Sequence, residues 1–183
     1  MRSSLPLLAG LCLLAACASA PTPPAAPPAA HAAQQARAVL TSASGSLVSG
    51  TVTLRAMADG VHLTGTLGGF APQSVHALHV HERGDCSAAD ASSAGAHFNP
   101  TGAPHGRAGH GAHHLGDMDN LVADADGVAR VDVHLRGVTL GGGAPNDIAG
   151  RALVAHAQPD DYATQPAGNA GARVACGVIA IVR

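Results

Sequence analysis

The 183-residue chain has no lysine and no tryptophan, and its aromatic content is one tyrosine and two phenylalanines, 2% of the sequence. Any core must therefore be assembled from Val, Leu, Ile and Ala rather than from large rings. Charge is scarce as well: Asp, Glu and Arg make up 12%, with a formal net charge of -2. Without lysine, an arginine-rich run or interleaved basic and aromatic residues, the footprint of a nucleic-acid-binding surface is absent. Sustained helical periodicity is missing, which argues against a helical bundle.

What the chain does have is histidine, at 12 residues. Its length suits one domain. Residues 1–20 carry Arg2, an apolar run from Leu5 to Ala16 and then Cys17, the pattern of an export signal. The run is too short to span a bilayer comfortably. Leu14-Ala15-Ala16-Cys17 resembles a bacterial lipobox, which implies cleavage before Cys17 and lipidation of its thiol; Ala18-Ser19-Ala20 offers a competing ordinary cleavage site. Lipidation at Cys17 would tether the protein to a membrane in the bacterial periplasm, the only membrane contact expected. Residues 21–38 form an Ala/Pro-rich stretch with too little branched apolar surface to fold, expected to be an extended tether, and the domain is expected over 39–183.

Cys12 and Cys17 belong to the leader, leaving Cys86 and Cys176 in the domain. In an exported chain these are most simply read as one disulfide, against the alternative of two free thiols.

Apolar residues alternate with period two at Val48, Gly50, Val52 and Leu54, at Val61, Leu63, Gly65 and Leu67, and at Val131, Val133 and Leu135. Such runs are half-buried strands, and Asp59-Gly60, Asp126-Gly127 and Gly141-Gly142-Gly143 separate them as turns. The pattern predicts an antiparallel sandwich or barrel. Between Asp85 and Asp119 no strand pattern appears, and a connection of that length is expected to carry function.

Within "ALHVHERGDC", His79 and His81 lie two apart on a strand, so both project to one face while Leu78 and Val80 take the other. Downstream come His97, His105, His114 with Asp117, and His156. Neutral imidazoles with a carboxylate suit zinc, and all-imidazole sites suit copper(II).

The ordered motifs "HVHERGDC", "SAGAHFNP", "HLGDMDNL", "GRALVAH" with "DDY", and "GNAGARVACGVI" resemble the copper/zinc superoxide dismutase family across about Val39 to Arg183. The resemblance implies an eight-stranded antiparallel Greek-key barrel, a sandwich architecture of which that family is a standard example, with long metal-binding and electrostatic loops. It implies copper held by His79, His81, His97 and His156, and zinc by His97, His105, His114 and Asp117, so that His97 bridges. Asp160 matches a carboxylate that orients a ligand ring of each metal. Cys86 and Cys176 match the family disulfide, and Arg173 matches the arginine that guides the anion. The implied reaction is dismutation of superoxide to dioxygen and hydrogen peroxide, with His97 and Arg173 as catalytic groups, in a monomer or homodimer. The alternative is an envelope protein that buffers or delivers copper and zinc without turnover.

Other histidines read differently. His76, on the Leu78/Val80 face, is expected to hydrogen-bond internally; His62, His134, His110 and His113 are expected at the surface. Many family members add a lysine to the loop before the guiding arginine, where this chain reads Tyr162-Ala163-Thr164-Gln165-Pro166. Steering is then expected to be weaker, or to be supplied by Arg107.

Overall fold

The computed structural model describes residues 34–182; the leader, Cys17 and the tether up to residue 33 lie outside the described residues. Alternation becomes strand wherever β-branched residues and Leu take every second place. The strands are β1 (Gln35–Ser42), β2 (Ser49–Met57), β3 (Gly60–Gly68), β4 (Val75–His76), β5 (Leu78–His81), β6 (Leu121–Val122), β7 (Ala129–Arg136), β8 (Ala152–His156) and β9 (Arg173–Val182). No α-helix occurs among the described residues, only a 3-10 turn at Ser92–Ala94.

Seven strands pair antiparallel in the order β5-β8-β9-β1-β2-β3-β7, and β4 pairs with β6. A bridge between Ala123 and Ala129 joins β6 to β7, while β4 runs into β5, so the sheet curls back on itself. The β4 and β5 segments are one strand in direction, interrupted at Ala77. There the Ala77 N–H donates to the Gln158 carbonyl and its carbonyl accepts from His156, each at 2.9 Å. Counted as one strand, they leave the eight expected.

The β1 strand starts at Gln35, ahead of the expected boundary near Val39. Ala36 and Ala38 take its inward positions and are fully buried, so residues that look like tether by composition act as strand by position. The core is correspondingly built mainly from aliphatic side chains, among them Leu40, Val52, Leu54, Leu63, Leu78, Leu153 and Ile179, with Phe70 and Phe98 as its two large rings. A smaller cluster of Ala43, Ala91, Ala94, Ala152 and Val154 surrounds Cys176. Two long connections, 82–120 and 157–172, lie against β5 and β8 and carry the site.

Candidate metal centre

On β5 the pleat turns Leu78 and Val80 into the core and His79 and His81 to the other face, where His156 arrives from the paired strand β8. The long connection is laced to this edge by backbone bonds: Phe98 N–H to Val80 O at 2.8 Å, Glu82 N–H to Ala96 O at 2.9 Å, and Val80 N–H to Gly116 O at 3.0 Å. This lacing sets His97 beside the strand pair. Ring centroids of His97 and His79 are 4.0 Å apart, those of His97 and His81 5.0 Å, and those of His81 and His156 5.4 Å. All four are buried.

A second group, His97, His105, His114 and Asp117, adjoins the first through His97. In each group the donor atoms lie within 4.8 Å of one another, the spacing of a set that can hold one ion. Asp117 is the hub of the second: Oδ1 is 2.9 Å from His97 Nδ1 and Oδ2 is 3.0 Å from His105 Nδ1. Its Oδ2 also accepts the His114 N–H at 2.9 Å.

The donor chemistry fits copper and zinc. Buried imidazole nitrogens are expected to be partnered, yet His79 Nδ1, His97 Nε2 and His105 Nδ1 have no hydrogen bond. His105 Nδ1 sits close to Asp117 but off the line a hydrogen bond requires. His97 turns Nδ1 to Asp117, leaving Nε2 for the first group. Each orphaned atom costs roughly 1–3 kcal/mol if nothing satisfies it, and a cation bound between the rings would do so.

Ring orientation comes from neighbours. Asp160, fully buried, reaches both groups: Oδ2 accepts from His79 Nε2 at 2.8 Å and Oδ1 from His105 Nε2 at 2.9 Å. Asn120 fixes Asp160 in turn, accepting its N–H at 2.8 Å and donating to its carbonyl at 2.9 Å. His81 Nδ1 donates to the Gly95 carbonyl at 3.0 Å.

Burial is the first cause of depressed basicity in the strand group. It lowers His79 and His81 well below the ordinary value, and the neighbouring rings add to it; His156 is lowered to about 4 by burial and by His97. Neutral rings, the form that binds metal, are thereby favoured at pH 7. For Asp117 burial opposes ionisation, but the bond from His97 and the charge of His105 outweigh it and hold the carboxyl well below its usual range.

A basin of about 880 Å³ opens over the first group, lined by His81, His97, His156, Thr164, Asn169 and Arg173. The Arg173 guanidinium donates to Ala91 O at 2.7 Å and Gly95 O at 2.6 Å. Three residues on, Cys176 is bonded to Cys86, with Cα atoms 5.7 Å apart, so the disulfide ties the segment carrying those carbonyls to β9.

The remaining histidines stay outside both groups. His76 is buried, its Nδ1 donating to His156 O at 3.0 Å and its ring stacked on Phe70. His62 and His134 pair with Asp132 and Asp59 on the solvent face of the sheet, each at 2.8 Å. His110 is exposed and His113 half-exposed. Arg107 differs from the expectation of a free steering charge. It is paired with Asp119 at 2.8 Å and lies over the Tyr162 ring, because the loop turns it along the surface. Asn120 and Gln165, which brace the site, are not singled out by the sequence: Asn120 falls within the "HLGDMDNL" motif but has no ligand chemistry of its own, and Gln165 lies in none of the family motifs.

The model of the copper/zinc superoxide dismutase family matches residues 48–179. "Superoxide dismutase [Cu-Zn] 2" of Aquifex aeolicus is 42% identical over 79% of this chain and 86% of its own. "Superoxide dismutase [Cu-Zn]" of Caulobacter vibrioides is 45% identical over 72% of this chain and 78% of its own. The crystal structure of the clock protein EA4 superposes with a TM-score of 0.72 at 39% identity, covering 82% of this chain and 96% of that one. Barrel, paired histidine groups, disulfide and matched length agree, and the chain belongs to the copper/zinc superoxide dismutase family.

Proposed function

We propose that the protein converts two superoxide ions and two protons into dioxygen and hydrogen peroxide. Copper would be held by His79, His81, His97 and His156, and zinc by His97, His105, His114 and Asp117. The observation that carries this reading is the set of unpartnered buried nitrogens in two groups sharing His97, beneath a basin with Arg173 in its wall. A bound copper ion supplies one-electron redox chemistry, and zinc, which has none, supplies charge and structure.

The chain's own residues do the rest. Arg173 spends two N–H groups on carbonyls and pairs with no carboxylate, so its charge is left to attract an anion into the basin. Copper/zinc superoxide dismutases are themselves a standard example of such steering. His97 Nε2, the nitrogen without a partner, can take either copper or a proton, and in the protonated form it would return that proton to the reduced anion. Asp160 keeps His79 and His105 in the tautomers that leave their Nδ1 atoms free.

The Cys86–Cys176 disulfide belongs to oxidising compartments. It supports export by residues 1–20; anchoring through Cys17 in the periplasm rests on the Leu14-Ala15-Ala16-Cys17 string. Incorporation of labelled fatty acid, lost in Cys17→Ser, would test the anchor.

Superoxide decay in the presence of the protein loaded with copper and zinc, after chelation of loose metal, tests the activity. Catalysis near the diffusion limit is expected. Metal held stoichiometrically with no turnover would instead make it a carrier.

A further inference from the structure

We propose that Gln165 is a positioning residue for the zinc half of the centre, clamping the peptide of His105 so that zinc is retained; this rests on the assignment of His105 as a zinc ligand. The clamp starts from a turn that is closed on itself. Asp161 accepts the N–H groups of Ala163 at 2.9 Å and Thr164 at 2.8 Å, Gly168 N–H donates to Thr164 O at 2.7 Å, and Asp161 N–H to Gly168 O at 2.9 Å. At its exposed tip the Gln165 carboxamide reaches across the loops. Its Oε1 accepts the His105 N–H and its Nε2 donates to the His105 carbonyl, both at 2.9 Å. One side chain thus makes the pair of bonds that a neighbouring strand would make.

The same turn backs the His105 ring. Gly168, at φ +67, packs so closely on Asp160 Oδ1 and His105 Nε2 that a β-carbon would collide with both. Only glycine allows that approach.

His105 needs this help. Residues 100–113 are glycine-rich and carry no regular strand or helix. Among the described residues, every hydrogen bond they make beyond the 82–120 connection runs to Asp160 or Gln165. Asp160 fixes the ring, and Gln165 fixes the peptide from which the ring hangs. The loop stretch that supplies no lysine for steering supplies a clamp instead.

The test compares zinc release to a chromogenic chelator from the copper- and zinc-loaded parent, Gln165→Ala and Gln165→Glu, with amide exchange of His105 followed in the same loaded proteins. Gln165→Ala should release zinc roughly tenfold faster, as for loss of other groups that orient a ligand. Its His105 amide should exchange faster while copper content is unchanged. Gln165→Glu keeps the acceptor for the His105 N–H but loses the donated bond, so amide protection should survive and release should fall between the other two. Thermal unfolding of the copper-loaded, zinc-free proteins should coincide, which a general loss of stability would not permit. Unchanged zinc release in Gln165→Ala overturns the proposal, whatever the amide does. His105→Ala separates the causes: if it too keeps its zinc, the ligand assignment has failed; if it loses zinc, the clamp has.

Discussion

The two halves of the centre are built from different material. His79, His81 and His156 stand on β5 and β8, whose ladder places them before any ion arrives. His105, His114 and Asp117 stand on a connection without regular structure, ordered by the carboxylates of Asp117 and Asp160 and by the Gln165 amide. Backbone pairing is obligatory and cheap to maintain, so the strand half needs only neutral rings. The loop half has no ladder, so its geometry depends on charge-assisted bonds, and if zinc is held there as proposed, loop order and zinc binding are coupled.

The largest effect is expected where the halves meet. His97→Ala removes the ring shared by both groups and should lower activity by more than about a hundredfold, beyond the 10- to 100-fold typical of a group that only orients a ligand. Zinc content should fall with it. A variant holding both metals and keeping its rate would show that the halves do not share this ring. Next in size is Asp160→Asn, which touches one ring of each half. If the comparison holds, zinc affinity drops by roughly 10- to 100-fold, while copper, held by ladder-positioned rings, is affected less. Equal losses of both metals would mean that the strand half is no better preorganised than the loop half.

The same contrast governs what could be read from the sequence. The β2, β3 and β7 strands follow from period-two alternation, and His79 and His81 from the two-residue repeat on a strand. His97, His105, His114, Asp117 and His156 needed the family's ordered motifs, because nothing local in a Gly- and Pro-rich connection says where a side chain will arrive. The start of β1 was hidden because Ala at inward positions has the composition of a linker. The break at Ala77 is a switch of pairing partner, invisible without the partners. Asn120 and Gln165 act through amide bonds across 40 and 60 residues, and an amide has no spacing rule of its own.

Acid should weaken both metal-free halves below pH about 6.5, the strand half through three depressed rings and the loop half through His114. His79, His81 and His156 have folded pKa values below their unfolded value of about 6.5, so the unfolded chain binds more protons and stability falls as pH drops below it. That loss continues to about 4, where His156 protonates in the folded state. Asp117 is depressed well below the carboxylate range, and its contribution disappears only in stronger acid. Denaturant unfolding of the metal-free protein from pH 8 to 3 should therefore show stability declining first between about 6.5 and 4. A flat profile down to pH 5 would remove the strand-half rings as its cause.

The smallest effect separates two arginines that differ in the same way. Arg173 hangs from β9, beside the disulfide, and binds only carbonyls, so no carboxylate is paired with its charge and, among the described residues, only the Asp90 carboxylate acts on it from a distance. Arg107 lies on the loop half, exposed and matched by Asp119. Exposed pairs of that kind contribute little, so Arg107→Gln should leave the rate of superoxide loss within about twofold and its fall with added salt intact. Arg173→Gln should flatten that salt dependence, because attraction of an anion by an unpaired charge is what ions in solution screen. If Arg107→Gln flattened it instead, the steering field would originate in the loops, and the strand half would supply the chemistry without the guidance.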